Sequence, residues 1–475
     1  MRLLPPAALG LVVLAGVTAL SAGGAPDARD LAGAYSVRAR PNGTVRAFDV
    51  TAAPADVTFP DGRRLHVWAY NGTVPGPTLR VRLGDTVRVR FTNHLPQPTT
   101  IHWHGVRVPN AMDGVPGVTQ PAIQPGETFT YEFTPKDAGT FWFHPHLRSS
   151  EQIERGLFGV LVVEDAAPRP YSREVVWVLD DWLLGRDGEI FPQFNTRHDL
   201  MHDGRWGNVI TVNGSTSERL DVAPGERVRL RLVNVANGRV FQLGLGGLDA
   251  RVIAVDGLYT ARPLDPGAFE IAPGNRLDLD VTIPPDAAGR RYTVVNRFRS
   301  PDTPLVSVAV AGPRVTTPRF APPAAAVPAW ADRAAVAPRL TLRLNARAGG
   351  PFGIAWTIND VAFDHDAAMG AMDHGAAEHD GMTAADRLPL GTWSRLRFVN
   401  ESYRLHPMHI HGLFFKLLAR NGVPVDEPFF RDTVLVHAQE TVDVGTVPLD
   451  PGRWMVHCHI LEHAESGMMT LVDVR

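Results

Sequence analysis

Apolar and polar residues alternate in short runs along most of the chain, and sustained helical periodicity is almost absent. In the stretch RVRLGDTVRVRFTN (80–93), Val87, Val89 and Phe91 are separated from one another by polar residues. Because alternate residues of a strand point to the same side, this pattern predicts a strand with one buried face. Clusters of Gly, Pro, Asn and Asp separate such runs and predict turns. The chain is therefore predicted to be all-β.

The same pattern recurs three times along the sequence. YNGTVPGPTLRVRLGDTVRVRFTN (70–93) resembles VNGSTSERLDVAPGERVRLRLVN (212–234), and both resemble TINDVAFD followed later by LPLGTWSRLRFVN (388–400). Such internal similarity is typical of repeated domains, and a stretch rich in Pro and Ala before the third repeat predicts a linker. The three predicted β domains cover residues 36–166, 170–314 and 338–475. The predicted linker covers residues 315–337.

Length and composition agree with a globular protein of several domains. The chain has 475 residues, enough for roughly two to four domains, and 44% of them are apolar. Its 47 Lys and Arg residues nearly balance 50 Asp and Glu, which gives a net charge of −3. This balance does not indicate a nucleic acid or another polyanion as a partner.

The N-terminal residues predict an exported protein. One early arginine is followed by an apolar run from about Leu9 to Leu20 and then by small residues, which is typical of a secretory signal peptide over residues 1–25. The alternative is an uncleaved membrane anchor, but the run is shorter than the roughly 20 residues that a spanning helix needs. No second apolar run of that length follows, so we expect a periplasmic or extracellular protein without a membrane span after cleavage.

Histidines are concentrated in four short motifs: IHWHG, FWFHPH, HPMHIHG and HCHILEH. Each motif contains a His-x-His pair, whose two imidazoles project from the same side of an extended segment. Imidazole suits copper, zinc, iron and nickel, and eight paired imidazoles exceed what one ion can use, so several metal ions are predicted. The ten clustered histidines are His102, His104, His144, His146, His406, His409, His411, His457, His459 and His463.

The only cysteine, Cys458, stands among these histidines. Together with His406, His463 and Met468 it makes a set of two imidazoles, one thiolate and one thioether, which is the ligand set of blue copper sites. A catalytic cysteine with a histidine base would not require the other clustered histidines, and a structural zinc site would favour several cysteines. We therefore expect Cys458 to be a metal ligand.

The residues on either side of Cys458 connect it to the other histidines. On a strand, His457 and His459 point away from the side that carries Cys458. The pattern therefore predicts two metal centres joined by the peptide links of Cys458.

The four histidine motifs resemble the copper-binding signatures of the multicopper oxidases, the laccase and cuprous oxidase group, over essentially the whole mature chain. The resemblance implies an all-β fold of three cupredoxin-like Greek-key β-sandwich domains. It also implies four copper ions: one type 1, one type 2 and two type 3. Such an enzyme takes one electron at a time from a donor and, after four transfers, reduces dioxygen to two waters.

The resemblance also implies which residues hold copper. The second domain carries NGRVFQLGLGGL where the others carry histidines, so it is expected to bind no copper and to fix the outer domains. The implied ligands are His406, Cys458, His463 and Met468 for type 1, His102 and His409 for type 2, and His104, His144, His146, His411, His457 and His459 for type 3.

Carboxylates are expected to supply protons for oxygen reduction. By the resemblance, Asp113 matches an acidic residue beside the type 2 and type 3 coppers, although a turn residue before a glycine is the alternative. Many bacterial relatives have a glutamate directly after the last type 1 histidine, where this chain has Ala464. Glu462 and Glu465 lie close by, and the sequence leaves open which of the three carboxylates relays protons.

The electron donor is the least determined feature. DHDAAMGAMDHGAAEHDGM (364–382) interrupts the third repeat and predicts either a metal-loading segment with extra copper at residues 365–382 or a mobile surface insertion. The candidate donors are phenols, aromatic amines, Cu(I) and Fe(II), and the segment resembles the methionine-rich insertions of exported cuprous oxidases. The thioether and imidazole residues of the segment are His365, Met369, Met372, His374, His379 and Met382.

Two functions other than oxidase activity could also use copper-binding motifs. A copper-binding or scaffolding protein on the same fold would not turn over, but the chain keeps all ten clustered histidines and the cysteine. A copper nitrite reductase has a smaller chain of two domains and a different ligand set. Both alternatives fit this sequence less well than an oxidase.

Overall fold

A computed structural model of the chain describes residue 31 and residues 34–36, 38–328, 336–365, 367–369 and 387–475. These residues form six β-sheets, and the all-β prediction is confirmed. The predicted signal peptide (1–25) lies outside the described residues. In the described part of the chain, we find no helix with the length and apolar character needed to cross a membrane.

The first domain packs two four-stranded sheets, of order β2-β1-β4-β6 and β3-β8-β7-β5, around one core. The alternation predicted for 80–93 is confirmed here, because Val87, Val89 and Phe91 are fully buried. The strands are β1 (Val45–Thr58), β2 (Arg64–Tyr70), β3 (Thr78–Arg82), β4 (Thr86–Asn93), β5 (His102–His104), β6 (Thr128–Phe133), β7 (Gly139–His144) and β8 (Gly159–Glu164).

The second domain packs a six-stranded sheet, β10-β9-β12-β17-β14-β15, against a five-stranded sheet, β11-β19-β18-β13-β16. Its strands are β9 (Arg173–Trp182), β10 (Val209–Val212), β11 (Glu218–Val222), β12 (Arg227–Asn234), β13 (Phe241–Gly244), β14 (Asp249–Val255), β15 (Leu258–Leu264), β16 (Glu270–Ile271), β17 (Arg276–Thr282), β18 (Arg291–Asn296) and β19 (Thr303–Val310).

The third domain repeats this plan, with sheets of order β21-β20-β23-β28-β25-β26 and β22-β30-β29-β24-β27. Its strands are β20 (Leu340–Ala348), β21 (Ile354–Ile358), β22 (Arg387–Leu388), β23 (Ser394–Asn400), β24 (His406–Ile410), β25 (Phe415–Arg420), β26 (Val423–Pro424), β27 (Thr433–Val436), β28 (Thr441–Thr446), β29 (Gly452–Cys458) and β30 (Met469–Val474).

The sequence repeat corresponds to a repeated strand arrangement. In each domain the first strand pairs antiparallel with the next strand and parallel with a later one, as β1 does with β2 and β4. β9 does the same with β10 and β12, and β20 with β21 and β23. The domain boundaries drawn from the sequence stay a prediction.

Short helices lie where the domains meet: α1 (Ser149–Glu154), α2 (Arg197–Met201) and α3 (Leu461–Glu465). Helix α3 of the third domain contacts both α1 of the first and α2 of the second. An apolar cluster that includes Trp142, Trp182 and Leu461 also joins all three domains. All three domains are therefore held around the segment that follows Cys458.

Candidate metal centre

Strand pairing brings the histidine motifs together. In the first domain β5 pairs antiparallel with β7, so His102 lies opposite His144. In the third domain β24 pairs antiparallel with β29, so His409 lies opposite His457 and Met408 opposite Cys458. Each motif therefore sits on a strand whose register is fixed by its neighbour.

Eight histidines from the first and third domains form one buried cluster, which we call the eight-histidine cluster. Its members form triplets, in each of which three ring nitrogens, one from each histidine, lie within 4.8 Å of one another. The triplets overlap, because His104 belongs to two of them, and the rings of His104 and His409 stack at 3.8 Å. The triplets are His102–His104–His409, His104–His144–His459 and His146–His411–His457.

Hydrogen bonds fix the orientation of these rings. Backbone carbonyls accept a hydrogen bond at 2.8–2.9 Å from the Nδ1 atoms of His102, His144, His409 and His457. A carbonyl can only accept, so Nδ1 carries the proton and Nε2 keeps its lone pair. The Nε2 atoms of His102, His144 and His409 have no hydrogen-bond partner within the described residues. Buried lone pairs that face one another in this way fit a metal ion.

Burial favours the neutral form of seven of the eight imidazoles in this cluster. It is the largest cause lowering their pKa values, and nearby imidazoles lower most of them further. Neutral imidazole is the form that binds a metal, so the donor set fits copper without having to lose protons. The pKa is lowered for His104, His144, His146, His409, His411, His457 and His459.

Asp113 contacts this cluster directly. Its Oδ2 accepts a hydrogen bond from Nδ1 of His411 at 2.8 Å, and its Oδ1 lies 3.3 Å from Nδ1 of His102. The side chain is fully buried. Asp113 therefore touches two histidines of the eight-histidine cluster from one side.

The other two predicted carboxylates bond to the neighbouring domains. Glu465 accepts hydrogen bonds from the backbone N–H and hydroxyl of Ser150 at 3.1 and 2.5 Å. Glu462 accepts from the backbone N–H of Arg205 at 3.0 Å and from the Asn237 side chain at 2.8 Å, and burial raises its pKa to about 7. Both residues tie α3, which carries His463, to the first and second domains.

A second group contains the cysteine. The Cys458 Sγ atom lies 3.6 Å from Nδ1 of His406 and 3.9 Å from Nδ1 of His463, and those two nitrogens are 3.3 Å apart. All three residues are fully buried. Burial raises the pKa of the Cys458 thiol, so a nearby cation is needed to stabilise its thiolate. The structure thus brings together three of the four residues predicted for a blue copper site.

The opposite nitrogens of these two histidines are held by hydrogen bonds. Nε2 of His463 donates to the backbone carbonyl of His202 at 2.8 Å. Nε2 of His406 lies 2.8 Å from the hydroxyl of Ser402, which also bonds Asn400. With Nε2 engaged, Nδ1 of each ring is left to face the sulfur.

Met468, the predicted fourth ligand, is fully buried in the same apolar cluster as Cys458. The backbone N–H of Cys458 donates to the Met468 carbonyl at 3.1 Å. Met469 packs in a different cluster, with Val115 and Met455. The packing therefore favours Met468 over Met469 as the thioether nearer the cysteine.

Sequence reasoning missed a polar network that joins the second and third domains. Asp432 accepts from Thr433 and lies 3.2 Å from Nε2 of His104, and Arg276 donates to both of its carboxylate oxygens at 2.9 and 2.7 Å. Burial alone would raise the pKa of Asp432, but the Arg276 guanidinium outweighs it and holds the pKa well below the usual range. Arg276 lies in an ordinary strand pattern, so no sequence signal marked it.

His365 also lies near the eight-histidine cluster, close enough to His146 and His457 to lower their pKa values. Its ring contacts Phe363 at 5.2 Å, and the backbone around Ala368 packs closely on Gly117. The sequence had placed His365 in the metal-loading segment, of which Met372, His374, His379 and Met382 lie outside the described residues.

Comparisons with known proteins agree with this geometry. Residues 51–168, 173–311 and 357–475 each match a family model described as multicopper oxidase. The multicopper oxidase MmcO of Mycobacterium tuberculosis is 30% identical, over 96% of this chain and 92% of its own. Copper resistance protein A of Escherichia coli is 30% identical over 52% of this chain and 47% of its own.

Solved structures are similar over the whole fold. The crystal structure of a multicopper oxidase from Pseudomonas thermotolerans is 33% identical, with a TM-score of 0.77, and the match covers 91% of this chain and 100% of that one. A multicopper oxidase from Pseudomonas parafulva gives 33% identity and a TM-score of 0.76 over 90% of this chain and 100% of that one. The prediction of three cupredoxin-like domains is confirmed.

Proposed function

The chain belongs to the multicopper oxidase family, and on that premise we propose that it couples four one-electron oxidations of a donor to the reduction of dioxygen to two waters. The observation that carries the proposal is the position of Cys458. Its side chain faces His406 and His463, while the residues on either side of it, His457 and His459, belong to the eight-histidine cluster. One three-residue stretch therefore links two candidate metal centres.

The donor atoms support copper at both centres. His406, Cys458 and His463, with Met468, would hold a type 1 copper, and His102 and His409 a type 2 copper. The triplets His104–His144–His459 and His146–His411–His457 share no histidine and support a type 3 pair. Bound copper would supply one-electron chemistry at the first centre and multi-electron chemistry with dioxygen at the second. The type 3 ligands would be His104, His144, His459, His146, His411 and His457.

The protein's own residues hold these ligands in place. Backbone carbonyls that accept from Nδ1 fix the tautomers of His102, His144, His409 and His457. Asp432, which is held by Arg276, orients His104 and His409. Since most of these side chains are fully buried, little reorganisation accompanies a change of charge.

Asp113 is the carboxylate that geometry favours as proton relay. It contacts His102 and His411, whereas Glu462 and Glu465 are occupied by hydrogen bonds to the second and first domains. In this proposal Asp113 passes protons at Oδ2, and the two glutamates position α3.

The donor and the location belong to the proposal as well. Phenols, aromatic amines and the ions Cu(I) and Fe(II) are the candidate donors, and relatives named for copper resistance support a metal ion. The segment at residues 365–382 is proposed to bind extra copper, and export to the periplasm or cell exterior is proposed from residues 1–25.

Oxygen uptake by the copper-loaded protein tests this function. We expect one dioxygen consumed for every four donor electrons, together with intense blue absorption. Cys458→Ser should abolish both the absorption and the uptake. Met408→Leu is the matched control, because Met408 is a buried neighbour across the strand pair and its volume is conserved. A blue protein without uptake from any donor would instead support the non-catalytic copper-binding alternative.

A further inference from the structure

The segment RHDLMHD (197–203) of the second domain covers the candidate type 1 centre. Leu200 is fully buried and its carbonyl accepts from the Trp356 indole at 3.0 Å. The Trp356 ring in turn packs on His463 at 4.1 Å. Asp203 accepts from the backbone N–H of Leu405 at 3.1 Å. One side of the segment is thus fixed to the third domain beside His463.

The opposite side of the segment exposes a thioether and two imidazoles, which can act as metal ligands, to solvent. The side chain of His198 is 75% exposed, and Met201 and His202 are also exposed. His198 and His202 are four residues apart, with rings stacked at 4.3 Å. Nδ1 of His202 donates to the His198 carbonyl at 2.8 Å, so Nε2 keeps its lone pair.

His198 lies on α2 and His202 directly follows that helix, and two histidines four residues apart with neighbouring rings form a metal-binding arrangement. The thioether of Met201, one residue before His202, adds a donor that favours Cu(I). The guanidinium of Arg197 donates to the Met201 sulfur at 3.4 Å, and both side chains are exposed, so Arg197 can move away when an ion binds.

The covered position of His463 limits which donors can reach it directly. His463 is 0% exposed, and its outward nitrogen is already bonded to the His202 carbonyl. An aromatic donor therefore cannot touch the imidazole edge. An ion bound by the His202 side chain is connected to His463 by a short path. The path runs through His202 to its backbone carbonyl and then across one hydrogen bond to Nε2 of His463.

We propose that His198, Met201 and His202 form a docking site for Cu(I) as electron donor, and that the His202 carbonyl provides the bonded route to His463. This inference rests on the proposed oxidase function and adds a substrate site to the second domain, apart from the four resident coppers. Each Cu(I) gives up one electron and leaves as Cu(II). Four Cu(I), one dioxygen and four protons yield four Cu(II) and two waters.

Silver(I) is the probe for the site, because it resembles Cu(I) and does not donate an electron. The copper-loaded full chain is titrated with silver(I) in competition with a chromophoric Cu(I) chelator. The double variant His198→Ala with His202→Ala should bind one equivalent less than the wild type. His66→Ala is the matched control, since His66 is an exposed histidine of the first domain, and it should bind as the wild type does.

Kinetics give the second measurement. In the double variant we expect the KM for Cu(I) to rise about tenfold or more. The blue absorption and the kcat for a small phenol should be unchanged, because alanine keeps the backbone carbonyl of residue 202 that bonds His463. Met201→Leu should raise the KM for Cu(I) less and leave the phenol kinetics unaltered.

Two outcomes would overturn the proposal, and a third would refute the oxidase function on which it rests. Silver(I) stoichiometry and KM for Cu(I) unchanged in the double variant would mean that the ion does not dock here. Equal loss of Cu(I) and phenol turnover with fading of the blue absorption would assign these histidines a structural role. Wild type that binds silver(I) through these residues but consumes no oxygen with any donor would instead refute the proposed function.

Discussion

Arg276 of the second domain and Asp432 of the third form a bidentate ion pair that is fully buried, with N–O distances of 2.9 and 2.7 Å. Asp432 also touches His104 of the first domain. On its other side, Asp256 of the second domain accepts from the backbone N–H groups of Arg276 and Thr433. All three domains therefore meet through this pair, beside the eight-histidine cluster.

Replacing Arg276 by Met should strongly destabilise the protein. The change leaves the buried carboxylates of Asp432 and Asp256 without their shared cation, and breaking a buried pair in this way costs about 3–5 kcal/mol. The measurement is the free energy of unfolding from denaturant titration, followed as a single transition. Arg262→Met is the control, because Arg262 pairs with Asp426 between the same two domains at 2.9 Å but on the surface. Arg262→Met should lower the free energy of unfolding by no more than about 1 kcal/mol. An equal decrease in both variants would contradict the role given to Arg276.

Asp113→Asn should separate the two halves of the reaction. The amide cannot relay a proton, so oxygen reduction should slow by roughly 10²–10⁴-fold, while electron uptake at the blue centre continues. Stopped flow checks this: bleaching of the blue absorption by donor without oxygen should be unchanged, and its return on mixing with oxygen should be slow. Glu465→Gln serves as the comparison, because Glu465 bonds Ser150 rather than the cluster, and its reoxidation should stay close to wild type. The reverse ranking would move the relay to Glu465.

Met468→Leu should raise the reduction potential of the blue centre while keeping its colour. Loss of the proposed thioether ligand would destabilise the oxidised ion, whereas the proposed thiolate and imidazole ligands that would give the absorption remain. Potentiometric titration of the absorption measures the shift. Met469→Leu is the matched control, since Met469 packs with Val115 away from Cys458. A shift in the control alone would transfer the axial role to Met469.

Much of this structure was accessible from local patterns, and the missing parts share a physical cause. Alternation within a strand is short-range, so the buried face of β4 and the paired histidines could be predicted. Arg276 approaches Asp432 across 156 residues of sequence. His202 likewise reaches His463 through a carbonyl, a group that every residue has. Contacts of this kind depend on how the domains pack against one another. The periodicity of the sequence and the spacing of its motifs carry no information about that packing.

His437 and Glu270 give the contact between the second and third domains a pH dependence. Nε2 of His437 lies 2.8 Å from the Glu270 carboxylate, and this hydrogen bond raises the pKa of His437 and lowers that of Glu270. A raised histidine pKa stabilises the fold at low pH and loses this effect as the pH rises through the folded-state value. A lowered glutamate pKa stabilises above the unfolded value of about 4.5 and loses this effect as the pH falls.

The pair should therefore stabilise the protein most between about pH 4.5 and 6.5 and add little at pH 8. Both side chains are partly exposed, so solvent limits the effect to under about 1 kcal/mol. We expect His437→Gln to lower the free energy of unfolding at pH 5.5 and to have a smaller effect at pH 8. Glu270→Gln should do the same, and the double variant should lose no more than either single one. A loss that is equal at both pH values would show that His437 acts through packing and not through its charge.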